Sequence, residues 1–419
     1  MASIDDLPSP GIPDSTLAVL REGYDFIGRR CERLHSDAFA SRLMLSKVVC
    51  MRGSDAAEAF YDDGRFSRQG AMPPTVVKLL QDRGSVQLLE GEPHRHRKEV
   101  FMSVLDREGV RRLAAQFVKE WRARLPIWER ASRIVLFDQV RHVLFRAVCA
   151  WAGMPLRTEA DLLARLKEFT AMIEATGSVG PRNWRAIWLR RRSERWARDN
   201  LLRIRHGILP TPALAPAAVI ARHRGLDGRF LPPEVAAVEM LNIIRPTVAI
   251  AHFIVFAAIA LHEHPEWRRA FESGDEADLE NFVQEVRRVA PFFPFIGGKV
   301  RIPFRWRDIE FTRGQWVLLD LYGTCRDKQH WEEPDAFRPE RFRNRDHGFA
   351  FVAQGGGEYL SGHRCPGEGA TLALMMEAVR LLTRAMRYDV PEQNLSVDLS
   401  RIPALPKSGF VLENVRAAK

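Results

Sequence analysis

Apolar residues recur every three to four positions along most of this chain. That spacing keeps one face of an α-helix apolar, so the pattern indicates a mostly helical protein. Prolines and polar residues at the edges of these segments set the expected helix ends. The predicted helices span residues 56–62, 94–104, 108–128, 137–152, 158–175, 183–206, 233–262, 264–272, 276–290 and 367–386.

Short runs of alternating or β-branched residues predict strands at 47–51, 299–302, 308–311 and 315–319. The last two runs flank Thr312, Arg313 and Gly314, which are expected to form a hairpin-like turn. No repeat, low-complexity segment or linker divides the chain. The sequence therefore predicts a mainly α fold with a small β-rich region, in a single domain over residues 1–419.

The segment 247–261 is apolar enough to resemble a membrane span. It has 15 residues, contains His252 and follows Arg245 and Pro246. About 20 apolar residues are needed to cross a bilayer, so we predict a buried central helix and no transmembrane segment. Residues 1–13 carry acidic residues and prolines and lack the order of a signal peptide, so a cytoplasmic location is expected.

The chain has a formal net charge of +10, which favours contact with nucleic acid, anionic lipid or acidic substrates. Zinc-finger spacing and an aromatic RNA-binding pattern are both missing from the sequence, so no nucleic-acid partner is expected. A solvated helix face is the favoured interpretation of the densest basic run, and a site that steers anions is the alternative. That run contains Arg190, Arg191, Arg192, Arg195, Arg198, Arg203 and Arg205, interleaved with Trp184, Trp188 and Trp196.

Five cysteines without paired spacing argue against a disulfide framework. One of them, Cys365, lies in the segment QGGGEYLSGHRCPGEG over residues 354–369. The glycines free the backbone before Cys365, and helix-forming sequence follows it. A cysteine near a helix N-terminus is stabilised as a thiolate by the amide dipoles. Most lone cysteines in Gly-rich loops are structural, so this loop needs support from other motifs.

Two further motifs supply that support. Glu285 and Arg288 lie three residues apart on one helix face, and Pro339-Glu-Arg341-Phe342 follows later. In this order, with the cysteine loop last, the motifs resemble the cytochrome P-450 superfamily. The resemblance implies the cytochrome P-450 fold and haem b, with Cys365 as the iron ligand that favours O–O cleavage. It also implies an ion network between the glutamate and two arginines.

The cysteine loop departs from the common family pattern. Glu358, Tyr359 and Ser361 stand seven, six and four residues before Cys365, where most members have phenylalanine, glycine and glycine. The loop is therefore expected to be extended and rebuilt. This face usually receives electrons from a redox partner, so the change bears on the electron source.

The long central helix departs from the family as well. Where most members carry an acid and an alcohol for proton relay, this chain has Arg245 and Pro246. Arginine stays protonated, and proline has no hydroxyl and kinks a helix. A buried arginine needs an anion, and Glu239 is six residues away and off the same face. We therefore expect an anionic substrate, since the guanidinium matches a carboxylate. A haem propionate or a remote acid is the alternative partner.

The Arg-Pro pair resembles the bacterial fatty-acid peroxygenase branch. The resemblance covers nearly the whole chain and implies hydrogen-peroxide-dependent hydroxylation of long-chain fatty acids, without an obligatory redox partner. Arg245 would hold the fatty acid carboxylate, which serves as the acid–base group. The matching segments are GEPHRHRK at 91–98, RPTVAI at 245–250, FVQEVRR at 282–288, LDLYG at 319–323, QGGG at 354–357, GHRCPGEG at 362–369 and YDVP at 388–391.

Further residues take roles from the same resemblance. The catalytic group is Arg245, Pro246 and Gln87, with Gln87 over the haem favouring hydroxylation over decarboxylation. The haem-binding group is Cys365, His94, Lys98 and Arg68, the last three for the propionates. The substrate-binding group is Arg245, Phe292, Phe293, Phe295, Ile173 and Thr176. A surface glutamine, a solvated basic helix and a plain aromatic core are the alternatives for these groups.

Phe293 bears on the product, because relatives can have glycine there. A phenyl ring is expected to hold the chain with Cα facing the oxidant, which predicts mainly 2-hydroxy fatty acids. Three other functions stay open: a fatty acid decarboxylase making terminal alkenes, a monooxygenase that depends on a redox partner, and a non-catalytic haem-binding sensor.

Overall fold

The computed structural model describes residues 4–62, 64–82 and 84–418. Helices account for most of these residues. They are α1 Thr16–Glu22, α2 Asp25–Leu34, α3 Ser54–Tyr61, α4 Pro74–Leu80, α5 Gly91–Val104, α6 Arg107–Glu129, α7 Leu136–Ala152, α8 Glu159–Glu174, α9 Pro181–Arg205, α10 Pro216–Arg222, α11 Pro233–Ala249, α12 Ala251–Glu263, α13 Pro265–Ser273, α14 Leu279–Val289, α15 Leu321–Thr324 and α16 Glu368–Arg380.

Three small sheets complete the fold. Their strands are β1 Ala38–Leu43, β2 Ser46–Met51, β3 Phe66–Ser67, β4 Arg133–Val135, β5 Phe295–Val300, β6 Phe304–Trp306, β7 Ile309–Phe311, β8 Trp316–Asp320, β9 Met386–Asp389 and β10 Val411–Ala417. The largest sheet has the order β1-β2-β8-β5-β3, and β4-β10-β9 and β6-β7 form the others. The expected fold class, mainly α with a small β-rich region, is confirmed.

Every predicted helical segment is helical, with ends within three residues of those expected. The last of them continues after α16 as a π-helical turn, Leu381–Ala385. Short helices were not predicted, among them α4 and α10, which have seven residues each and open on proline. A single apolar cluster that includes Val86 and Val415 forms the main core.

The predicted turn at Thr312, Arg313 and Gly314 is present, with the N–H of Gln315 bonded to the carbonyl of Thr312, but the two strands that flank it do not pair with each other as a hairpin. Strand β7 pairs with β6, with Trp306 opposite Ile309, so the hairpin turn lies at Arg307 and Asp308. Strand β8 pairs instead with β5 and, in parallel, with β2. Most residues of β8 are buried, and a strand buried on both faces belongs inside a sheet.

The predicted central helix is confirmed as buried, but it is two helices. Helices α11 and α12 meet at Ile250, one turn after Pro246. Proline has no N–H, so one bond of the helical ladder is lost at Pro246. At Ile250 the backbone N–H bonds three residues back, to the carbonyl of Thr247 over 3.2 Å, and the two helices separate there. The 233–263 segment is long and apolar enough to cross a membrane by length and composition, and 89% of its most apolar window is buried inside the molecule.

Candidate active site

Close packing shapes the glycine segment before Cys365. Gly355 and Gly357 have φ angles of 93° and 79°, which strain any residue with a side chain. At Gly356 a Cβ atom would lie 2.9 Å from the ring of Tyr61. The run of three glycines therefore lets the loop turn tightly against α3.

Cys365 itself is half-buried and lies three residues before α16. Its backbone N–H donates to the carbonyl of Gln354 over 3.2 Å, and the Gln354 side-chain amide lies 3.8 Å from Sγ. Burial raises the pKa of the Cys365 thiol, while the backbone N–H of Gly367 lowers it. The loop therefore holds Sγ in place by main-chain bonds rather than by a disulfide, and all five cysteines are free thiols.

An ion network lies behind the loop. Arg287 donates to Gln354 Oε1 over 3.0 Å and to Glu368 over 2.6 Å. Glu368 also accepts from Arg364, the residue before Cys365, over 2.7 Å. Arg287 is only 1% exposed, so its bonds are shielded from solvent, whereas the side chain of Arg364 is 37% exposed. The network ties α14 to both ends of the cysteine loop.

A second buried network confirms the expected role of the Glu-x-x-Arg motif. Glu285 makes a bidentate pair with Arg288, at 2.7 and 2.8 Å, and lies 3.2 Å from Arg341. Arg288 also donates to the carbonyls of Cys325 and Pro334. The side chains of Glu285 and Arg288 are fully buried. This network joins α14 to the segment that precedes the cysteine loop.

We expect Glu285→Gln to lower the free energy of unfolding by about 3–5 kcal/mol, because it leaves two buried arginines without their carboxylate. Chemical denaturation of the haem-loaded protein measures this loss. Glu280→Gln is the matched control, since Glu280 lies on the same helix but is exposed. Equal stability of the two variants would contradict the bracing role.

Basic side chains converge on the cysteine loop from two other elements. Lys98 of α5 donates to the carbonyls of Gly362 and Arg364. The ring of His94 stacks on that of His363, with centroids 4.1 Å apart. Burial lowers the pKa of Lys98 to about 8 and that of His94 to about 4. An anion bound beside them would shift both pKa values upward.

Arg68 completes this basic group from the side of β3. It is buried beneath the largest sheet, where it donates to the carbonyl of Gly297 over 3.1 Å and lies over the ring of Phe60. Its Nε is buried without a hydrogen-bond partner. Within the described part of the chain, neither Arg68 nor Lys98 has a carboxylate at ion-pair distance. Two buried cations near the loop are therefore open to anionic groups of a ligand.

Arg245 is also a buried cation without a carboxylate partner among the described residues. It is 6% exposed, and it donates to the carbonyl of Leu79 over 3.2 Å and to Asn242 Oδ1 over 3.4 Å. Burial lowers the pKa of Arg245, and the nearby charge of Arg190 acts in the same direction. Arginine still keeps its proton at neutral pH, so the site retains a positive charge.

Glu239 does not neutralise Arg245, because its charge is committed elsewhere. It accepts from Arg97 over 2.8 Å and from the N–H of Val86 over 2.9 Å. The neutral amide of Asn242 lies between Glu239 and Arg245, and it also donates to Gln87 Oε1 over 3.2 Å. The structure thus brings Gln87 and Arg245 together around Asn242.

The predicted substrate-contacting residues fall into separate environments. Phe292 packs on Phe253 of α12, with centroids 4.5 Å apart, and Phe293 is 38% exposed beside it. Phe295 packs with a different apolar cluster, around α2 and β1. Thr176 follows α8 and donates to the carbonyls of Met172 and Ile173 in the last turn of that helix, so its hydroxyl is satisfied locally. The substrate roles of these residues stay predictions.

The chain is similar to known proteins in both sequence and structure. Residues 279–402, which contain both buried ion networks and Cys365, match the sequence model of the family Cytochrome P-450. A solved structure of a variant of cytochrome P-450SP alpha (CYP152B1) is 47% identical, covers 97% of this chain and 100% of that chain, and superposes with a TM-score of 0.94. This chain belongs to the cytochrome P-450 family.

Two more solved structures of that family are similar over nearly the full length. Cytochrome P-450EX alpha (CYP152N1) with myristic acid is 38% identical, covers 98% of this chain and 99% of that chain, and has a TM-score of 0.94. A variant of cytochrome P-450 OleT in complex with arachidonic acid is 30% identical, with 99% coverage of both chains and the same TM-score. The resemblance to the fatty-acid peroxygenase branch of the family, to which these CYP152 enzymes belong, is therefore confirmed, and the chain has the cytochrome P-450 fold.

The curated relatives match a smaller part. Rhazimal synthase of Alstonia scholaris is 26% identical over 151 residues, which are 30% of this chain and 30% of that protein. The chain thus aligns with about a third of the length of the curated relatives that it matches.

A cytochrome P-450 carries haem, and the residues around Cys365 fit that group. Haem has two carboxylates, and Arg68 and Lys98 are the buried cations that lack acidic partners near the loop. In α11 and α12, Pro246 is the one exposed residue between residues 236 and 261, a range that the structure describes completely. The buried central helices are therefore open to a ligand at Pro246.

Several residues of this site were not predicted from the sequence. Asn242, and the ion pair between Glu239 and Arg97, had no role in any of the motifs, and Arg97 comes from a different helix, α5. Arg190 was interpreted as part of a solvated face, yet it is 1% exposed and bonded to the carbonyl of Leu79. This part of the basic-run prediction is wrong. The spacing of Asn183, Ala186 and Arg190 puts these three residues on one face of α9, and this face is buried. That spacing was the pattern in the sequence that could have predicted the burial of Arg190.

Proposed function

We propose that this protein hydroxylates long-chain fatty acids with hydrogen peroxide as the oxidant, mainly at Cα. The observation that carries the proposal is Arg245, a buried guanidinium without a carboxylate partner among the described residues. A buried arginine of this kind calls for an anionic ligand. The fatty acids named with the similar structures, myristic acid and arachidonic acid, are carboxylates with long apolar chains.

Arg245 binds and orients the substrate carboxylate. Its planar fork suits two parallel hydrogen bonds to the carboxylate oxygens. Asn242 holds one nitrogen of the guanidinium and also holds Gln87, so both groups face the ligand in fixed orientations. The apolar surroundings of α11 exclude water and strengthen the ion pair. Anchoring in this way restricts the reacting carbons to the first few of the chain.

Proton transfer is supplied by the substrate itself. Arg245 keeps its proton and Pro246 has none to give, so neither can act as the relay. The bound carboxylate can accept a proton and return it, and Arg245 keeps it positioned for this role. Cys365 would hold the haem iron, with Arg68, His94 and Lys98 at the haem carboxylates, and the bound haem would supply oxygen-atom transfer from peroxide.

Peroxide already carries the electrons that a monooxygenase must import, so no obligatory redox partner is part of this proposal. The cysteine loop, which departs from the common family pattern, supports the absence of a redox partner. Tyr359 stands where most members have glycine, and its hydroxyl donates to the carbonyl of Pro366 over 3.0 Å. Its ring therefore lies across the loop that usually faces a redox partner. The proposal also places the enzyme in the cytoplasm, since its most apolar helix is buried in the core.

Product analysis tests the proposal. The haem-loaded protein is incubated with myristic acid and hydrogen peroxide alone, and the products are identified by mass spectrometry. We expect 2-hydroxymyristic acid as the main product. A terminal alkene one carbon shorter would identify a decarboxylase, turnover only with reductase and ferredoxin would identify a monooxygenase, and binding without turnover would identify a sensor.

Phe293 tests the regiochemistry. Phe293→Gly removes a ring that packs at 4.9 Å against Phe292, and it opens space for the fatty acid to shift toward the haem. We expect a larger share of 3-hydroxy product, measured by gas chromatography, with total turnover within about threefold of wild type because the anchor at Arg245 is intact. Phe304→Leu is the control, since Phe304 lies on β6, packs with a different apolar cluster and has no predicted substrate role. An unchanged ratio of 2-hydroxy to 3-hydroxy product in Phe293→Gly would show that other residues set how far the fatty acid enters the pocket.

A further inference from the structure

Helix α9 turns one arginine of its basic run inward. Arg190 is 1% exposed, whereas the next residue, Arg191, is exposed. Ala186, one turn before Arg190 on the same face, packs with Leu79 of α4 in a small buried cluster. The inward face of α9 therefore lies against the end of α4.

Three hydrogen bonds hold the Arg190 side chain, and a carboxylate oxygen of Asp82 lies 3.8 Å from its Nε. Arg190 donates to the carbonyl of Leu79 over 2.7 Å, to the carbonyl of Gln81 over 3.3 Å and to Glu194 over 2.7 Å. The guanidinium thus binds two carbonyls at the C-terminal end of α4, one from Leu79 inside the helix and one from Gln81 just after it, where carbonyls have no helical donors. Glu194 offsets its charge from the next turn of α9.

The Leu79 carbonyl is shared between two arginines. Arg245 of α11 donates to the same oxygen over 3.2 Å, which is longer than the 2.7 Å bond from Arg190. A carbonyl oxygen has two lone pairs and can accept both bonds. If Arg245 leaves this oxygen to bind a carboxylate, Arg190 still satisfies it, and no buried carbonyl is left without a donor.

We propose that Arg190 is a positioning residue for the carboxylate anchor: it keeps the Leu79 carbonyl satisfied so that Arg245 is free to bind the fatty acid. This inference rests on the proposed function and extends it to a residue outside the carboxylate contact. Without Arg190, the Leu79 carbonyl competes with the substrate for Arg245.

A purely structural role makes a different prediction. If Arg190 only links α4 to α9, its removal lowers stability and leaves the affinity for fatty acid unchanged. If it positions Arg245, the affinity falls even where the protein stays folded and loaded with haem. Binding of myristic acid, measured by calorimetry, separates the two roles.

The test compares Arg190→Gln with Arg191→Gln, which removes the neighbouring exposed charge. We expect Arg190→Gln to raise the Kd for myristic acid about tenfold, the effect of one lost charge-assisted hydrogen bond. The KM is expected to rise in parallel, with kcat within about twofold, because the bound geometry is kept once the substrate is in place. Arg191→Gln is expected to match wild type in both.

Arg190→Lys keeps the charge but loses the planar fork, and we expect a rise in Kd of about threefold. If Arg190→Gln does not fold, an unchanged Kd in folded Arg190→Lys overturns the inference. If Arg190→Gln folds and binds myristic acid as wild type does, Arg190 is only a structural link. A wild-type protein that neither binds nor oxidises myristic acid would refute the proposed function itself, whatever Arg190 does.

Discussion

Cys365→Ala is expected to abolish the strongly red-shifted Soret band of the ferrous carbon monoxide complex. That band requires a thiolate ligand, and the other described cysteines lie elsewhere. Cys31, Cys50, Cys149 and Cys325 are all buried in apolar clusters. Cys365 is the one described cysteine whose side chain is not fully buried, so the other four are closed off from a ligand by their apolar neighbours. We expect peroxide-driven turnover to fall to background along with the band.

Cys149→Ala is the matched control, since Cys149 is fully buried in the main core and far along the chain from the loop. It is expected to keep the band and to lower stability by about 1 kcal/mol through lost packing. Serine at position 365 is a poorer test, because an oxygen could still bind iron. Retention of the red-shifted band in Cys365→Ala would show that another residue ligates the iron.

The long helices of this fold were predictable because each buries a regular apolar stripe. Helix α6, for example, buries Leu113, Phe117, Trp121 and Leu125 at four-residue intervals, and its predicted ends differ from the observed ones by one residue. The hairpin after residue 308 was not predictable in this way. Strand β8 joins β2, a partner more than 260 residues earlier, and local turn chemistry carries no information about that pairing.

The candidate site was predictable to the extent that its chemistry lies in local motifs. The Gly-rich cysteine loop and the Glu285–Arg288 pair are each contained within a few residues. The partners of Arg190 are not, since the carbonyls of Leu79 and Gln81 lie about 110 residues before it. An arginine in a run of arginines has no local mark of burial, so the sequence pattern favoured a solvated face.

The same reasoning applies to Arg245. Its sequence context showed that it would be buried and that Glu239 would not pair with it. The reason for the missing pair lies in Arg97, which comes from α5 and occupies Glu239. The prediction that Arg245 has no carboxylate partner on its own helix is therefore confirmed among the described residues, and the bond between Arg97 and Glu239 gives the reason.

Arg245→Ala is expected to lower kcat/KM for myristic acid with peroxide by on the order of a hundredfold or more, because it removes the buried cation that pairs with the carboxylate. Haem content should be unchanged, since Arg245 bonds only to Leu79 and Asn242 among the described residues. Steady-state kinetics and calorimetric binding of myristic acid measure the loss. Arg245→Lys keeps the charge but loses the planar guanidinium. Its kcat/KM is expected to lie between that of Arg245→Ala and that of wild type.

In Arg245→Ala, the free energy of unfolding is expected to change far less than kcat/KM. Deleting a buried side chain costs packing energy, but Arg245 is also a buried charge without a counter-ion among the described residues, and removing it relieves a desolvation cost. We therefore expect the free energy of unfolding of Arg245→Ala to fall by no more than about 1 kcal/mol. Glu285→Gln gives the contrast, since it breaks a completed buried network and is expected to lose several-fold more stability. An Arg245→Ala protein with wild-type turnover of myristic acid would refute the anchor. One that lost stability as Glu285→Gln does would instead show that Arg245 belongs to the structural core, with its partners already satisfied before substrate binds.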